Sequence, residues 1–188
     1  MTLRFAGPVL VALLASACAT RPLVTVVPEP ANHAWWLRAR FEPRATSLDG
    51  VPVRAVNPAW CVADVLTPAD FDAYERADGR DPWGPDAARY SVPGPHVDGR
   101  ATRVELVAYR ECAGPTGTAM LLVVPGAGTP RVLALQAIAT PAAYAMLDSD
   151  RPGHVRVVHC QDCDAFDDYR WDPVARRWSA VDPPDDAL

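Results

Sequence analysis

The chain has 188 residues, 49% of them apolar and 22% charged, proportions that suit a folded globular protein and argue against disorder. Its formal net charge is −5 and it contains no basic run, which excludes nucleic acid and anionic lipid headgroups as partners held by charge. All 18 basic residues are Arg, so Schiff-base and phosphate-loop chemistry, which need a lysine amine, are excluded too.

At the N-terminus Arg4 precedes an apolar stretch from Phe5 to Leu14. Leu14-Ala15-Ser16-Ala17-Cys18 then closes the segment with small residues and a cysteine. This segment resembles the signal peptide (residues 1–17) and lipobox of a bacterial lipoprotein. The resemblance implies cleavage before Cys18, lipid attachment at Cys18 with palmitate-type chains, and membrane association through that N-terminal lipid. Ala19 stands where inner-membrane lipoproteins carry Asp, which implies the outer membrane, facing the periplasm. The family pattern prefers Leu where this chain has Ala15. Ala15-Ser16-Ala17 is also a site for the general signal peptidase, which would leave Cys18 as a free thiol. Cysteine parity favours acylation, because setting Cys18 aside from the 5 Cys leaves an even set. The apolar run falls short of the ~20 residues that cross a bilayer.

Residues 18–32 read as a tether, in which Pro22, Pro28 and Pro30 impose extended polyproline geometry. A single globular domain is expected over residues 33–181. Trp35, Leu37, Ala39 and Phe41 alternate with polar or outward positions, the pattern of a half-buried strand. Asp49-Gly50 marks a turn, and Val51 to Val56 reads as a strand that Pro52 places at an edge. Asn57-Pro58, Thr67-Pro68 and Thr140-Pro141 each offer a helix cap followed by a first-turn proline, predicting helices over Pro58 to Leu66 and Pro68 to Ala77 and another from Pro141. Asp78 to His96, rich in Pro and Gly and containing Trp83, reads as a long loop. Strands are predicted at Arg103 to Cys112, Thr118 to Val124, Arg131 to Ala139, His154 to Cys160, Tyr169 to Asp172 and Trp178 to Val181. The spacers Ala113 to Gly117 and Pro125 to Pro130 join antiparallel neighbours and are too short for a parallel crossover. The expected fold is α+β: an antiparallel sheet with a few short helices on one face, followed by a disordered tail at residues 182–188.

Cys160-Gln161-Asp162-Cys163 is the strongest chemical motif. A CxxC pair suits a thiol-disulfide oxidoreductase, yet the chain leaves no room after Cys163 for the long helix that activates such a thiolate. A structural role is favoured, with Cys61 paired to Cys112 and Cys160 to Cys163, because the CxxC cysteines are close in sequence and leave the other two to each other. His159 beside the pair raises zinc, but a second ligand pair is missing. Asp162, Asp164, Asp167 and Asp168 are weak calcium candidates that lack the glycine and distal glutamate of an EF-hand loop, and read more simply as a solvated turn. No other metal and no cofactor is called for. His33, His96, His154 and His159 are scattered, no GxSxG elbow occurs, and no catalytic residue can be named. Most of the 6 Trp suit core packing, with Trp83 the best candidate for exposure. The expected function is therefore that of an envelope lipoprotein, a tethered binding or scaffolding domain meeting an envelope protein or a cell-wall component in the periplasm. The alternative is a periplasmic enzyme, either an oxidoreductase at the CxxC or a hydrolase with a dispersed site.

Overall fold

A computed structural model of the chain describes residues 22–26, 35–71, 90–125, 130–138, 145–160 and 165–181. The expected signal peptide, Cys18, the helix expected from Pro141, Trp83 and the expected C-terminal tail lie outside the described residues.

The first described element falls inside the expected tether. Strand β1 (Val24–Val26) pairs antiparallel with β2 (Ala39–Phe41), Val24 opposite Phe41, and Val24 is 1% exposed. The domain therefore begins ahead of residue 33, with Val24 in its core. The strand expected from Trp35 starts with a 3-10 turn, Trp35–Leu37, closed by the Arg38 amide donating to the Trp35 carbonyl at 3.0 Å. Trp35 and Trp36 are both buried, and a strand would have sent consecutive side chains to opposite faces.

Strands β3 (Ser47–Leu48) and β4 (Val51–Pro52) form a small hairpin. Its turn residues Asp49 and Gly50 both have positive φ, 47° and 86°, the type I′ geometry for which Asp-Gly is suited. The strand expected over Val51 to Val56 stops at Pro52, and α1 (Val53–Val56), one helical turn, follows it.

Residues 58–66, expected to be helical, instead contain strand β5 (Trp60–Val65). The Asn57 side chain accepts the Ala59 amide at 2.9 Å, and the Asn57 carbonyl accepts the Trp60 amide at 3.0 Å. The Asn-Pro pair thus makes a turn with the same side-chain bond that would have capped a helix. At the next such site, residues 68–71 do turn helically, with Asp70 accepting from both the amide and the hydroxyl of Thr67. The expected loop up to His96 contains strand β6 (Ser91–Pro93), preceded by the buried Tyr90.

The remaining strands are β7 (Arg103–Glu111), β8 (Thr116–Val124), β9 (Arg131–Ala137), β10 (Met146–Arg151), β11 (His154–Val158), β12 (Phe166–Asp172) and β13 (Arg177–Val181). They build two antiparallel sheets. Sheet I runs β5-β7-β8-β9, with β6 also on β7, and sheet II runs β10-β11-β12-β13. Val104, Leu106, Met120 and Leu122 of sheet I share one buried cluster with Leu147, Val155, Val157, Tyr169, Trp171 and Trp178 of sheet II. The opposite face of sheet I, with Val107, Leu121 and Val123, is covered by Leu48 and Val53 and packs with Trp60 of β5. Strands β7 and β8 are thus buried on both faces, so their sequences run apolar without alternating. The molecule is one largely β domain, not the α+β fold expected: among the described residues the helical turns are too short to form a layer.

Candidate functional site

The outer face of sheet II carries the densest polar constellation among the described residues. Along β11, Val155 and Val157 point into the core, which sends His154 and Arg156 outward. The antiparallel register sets Arg156 between Asp148 of β10 and Asp168 of β12, and His154 opposite Arg170. Arg156 grips Asp168 with two bonds, Nε to Oδ1 at 2.9 Å and Nη2 to Oδ2 at 3.0 Å, and its guanidinium lies 3.8 Å from the centre of the Phe166 ring. The hydrogen bond to Asp168 raises the already high pKa of Arg156 further.

His154 sits at the end of this ladder. Its Nδ1 lies 2.7 Å from Asp150 Oδ1 and its Nε2 3.8 Å from Asp168 Oδ1. The hydrogen bond with His154 holds the Asp150 carboxyl below its ordinary range. Beside His154 opens a cavity of about 320 Å³ whose lining includes His96, Arg151, Arg170 and Trp171. A His–Asp pair can serve as a general base toward a side chain, a water or a substrate that brings a proton within reach. The nearby Ser149 hydroxyl is directed at backbone carbonyls instead, those of His154 at 2.8 Å and Arg151 at 3.1 Å. What the arrangement offers is a patterned charged surface able to orient a partner.

A second opening, about 430 Å³, lies between α1 and the edge of β9. Its lining is mainly apolar, including Val51, Ala55, Val56, Val132 and Leu135, with Arg131 as its charged member.

Of the residues expected to matter, Cys61 and Cys112 are joined in a disulfide. It ties the start of β5 to the residue after β7, beside the stacked rings of Trp60 and Tyr109, 4.3 Å apart. Cys160 is also disulfide-bonded and is 4% exposed. Its expected partner Cys163 lies outside the described residues, as do Asp162 and Asp164. Asp167 and Asp168 do not converge as calcium ligands: they are consecutive on β12, so they point to opposite faces. Asp168 holds Arg156, and Asp167 lies 2.9 Å from His159 Nε2. Among the described residues no group of three or more His, Cys, Asp or Glu could hold a metal ion. Trp35, Trp36, Trp60, Trp171 and Trp178 are all buried in the core.

The sequence reading passed over Asp150, Arg156 and Arg170. Asp150 lies in the polar run before Pro152-Gly153 and Arg156 in the alternation after it, the two sides of what is the β10–β11 turn, while Arg170 is on β12 and joins them only through the strand register.

No protein-family model, no curated protein and no solved structure matches the chain.

Proposed function

We propose that the protein is an envelope lipoprotein, acylated at Cys18, whose β-sandwich acts as a binding or scaffolding module on the periplasmic side of the outer membrane. The observation that carries this reading is the closeness of the anchor to the fold. Only residues 19–23 separate Cys18 from Val24. At ~3.5 Å per residue, acylation would hold the first strand within roughly 20 Å of the bilayer. The module would work against the membrane surface, not at the end of a long stalk. The Cys61–Cys112 disulfide supports an oxidising compartment. The burial of Cys160 supports a structural bridge, since a redox-active cysteine presents its sulfur to the incoming thiolate. The ladder of Asp148, Arg156 and Asp168 supplies a surface for a protein or cell-wall partner.

Fractionation tests the anchor: the wild type should sediment with outer membranes and Cys18→Ser should be released in soluble form. Wild-type protein found in the soluble fraction would remove the reading. A photo-cross-linker at Arg170 tests the module, with a discrete adduct in intact cells as the expected result and none as the contrary one.

A further inference from the structure

Among the described residues strand β9 is the last strand of sheet I, paired on its β8 side alone. The Ile138 amide donates to the Thr118 carbonyl at 3.0 Å, which fixes the alternation along the strand. With Ala119 opposite Ala137 and Met120 opposite Gln136, the backbone groups of Gln136 and Ala134 turn toward β8, while those of Leu135 and Ala137 turn away from it. Strand β13 comes near β9 without pairing to it. No Pro or charge interrupts residues 132–137, and the one irregularity is a register shift at Leu133, which leaves residues 134–137 as the regular stretch of the edge. Beside this edge runs the apolar opening walled by Val51, Ala55 and Val56 of the hairpin and α1.

We propose that the β9 edge takes an extended apolar segment of a partner protein as an added antiparallel strand, a carboxylate at the segment's C-terminal end meeting Arg131. The outward amide and carbonyl groups demand an extended backbone, and the opening accepts apolar side chains from alternate positions of that strand. Charge complementarity selects the acidic end, because Arg131 is exposed and has no ion-pair partner among the described residues. In antiparallel pairing the C-terminal end of the incoming strand lies at Arg131, the first residue of β9. A second copy of this chain would answer less well: β9 reads Arg131-Val132-Leu133-Ala134-Leu135-Gln136-Ala137 and offers no acid. This inference rests on the binding-module reading and names its partner chemistry.

The test uses the full chain purified in detergent, with a fluorescent peptide of alternating Val and Thr ending in Glu as probe. All peptides are amidated at the C-terminus so that only the last side chain carries charge there, and two controls end in Lys or carry Pro at alternate positions. Binding should slow amide exchange within residues 131–137 by at least about tenfold, and the Pro peptide, lacking alternate donors, should leave it unchanged. Ala137→Pro removes one outward amide at an exposed position without touching the β8 ladder. It should weaken the probe about tenfold while the thermal midpoint holds. Arg131→Glu should reverse the preference between the Glu-ended and Lys-ended peptides. The proposal is overturned by exchange that stays unchanged at millimolar probe, by equal binding of the Pro peptide, or by variants that bind as wild type does. Self-association that Ala137→Pro abolishes would overturn it in favour of a second copy. An intact mass on the same preparation reads acylation of Cys18 separately, so failure of the groove and failure of the lipoprotein reading remain distinct.

Discussion

Replacing Cys61 and Cys112 together with Ser removes a bridge between positions separated by 51 residues in sequence. Chain-entropy reasoning assigns a loop of that size about 4 kcal/mol, through the freedom returned to the unfolded chain. Little native packing is lost with the sulfurs, since Cys61 is half-buried and Cys112 exposed, so the effect belongs almost wholly to the unfolded state. At ~2–4 °C per kcal/mol for a domain of this size, the midpoint should fall by about 8–16 °C. Urea unfolding should show a second signature, a steeper slope, because the unbridged chain exposes more surface when it unfolds. Wild type in reductant should lose at least as much as the double variant, because the bridge at Cys160 is reduced along with Cys61–Cys112. A loss below about 1 kcal/mol with an unchanged slope would refute the reasoning, because it would mean that the loop closed by the bridge is already ordered in the unfolded ensemble.

Gly117 faces Tyr109 across the β7–β8 hairpin, and a Cβ there would come 2.6 Å from the hydroxyl and 2.7 Å from the nearest ring carbon. The ring cannot swing aside without leaving Trp60, so Gly117→Ala should destabilise by about 1–3 kcal/mol, and Tyr109→Leu in the same chain should recover part of that loss in urea melts. The Asp150 carboxyl, held below its ordinary 3.8 chiefly by its hydrogen bond with His154, titrates lower folded than unfolded. Its contribution is present above about pH 4 and is lost as pH falls through the lowered value; carboxyl NMR titration should show Asp150 moving up in His154→Phe and staying put in His96→Phe. Burial raises the phenols of Tyr109 and Tyr169, aided by Glu111 and Asp167 respectively. Folded values above the ordinary 10 make their contribution present below pH 10 and lost as pH rises past it. Stability should therefore decline on the alkaline side, and replacing both tyrosines with Phe should flatten that decline.

Much of sheet I was legible because β7 to β9 are long, apolar and punctuated by Gly and Pro. The Asp49-Gly50 turn and the Cys61–Cys112 pairing were legible too, one from local turn chemistry and the other from cysteine arithmetic. Strand β5 was not, since Asn57-Pro58 serves a turn and a helix cap through the same side-chain bond. Three-residue strands such as β1 and β6 exist only through their partners, and no local pattern announces them. The candidate site was hidden for the same reason. Asp148, Arg156 and Asp168 become neighbours only once three strands are aligned, and the β9 groove joins residues 51–56 to residues 130–135. Side-chain chemistry can be read from a chain, but register cannot.

The central claim is tested most directly by the intact mass of the mature protein extracted from membranes with detergent. The account predicts a chain beginning at Cys18 that carries a diacylglyceryl thioether and an N-acyl group. A chain that begins at Cys18 with an unmodified thiol, or one that still begins at Met1, would contradict it.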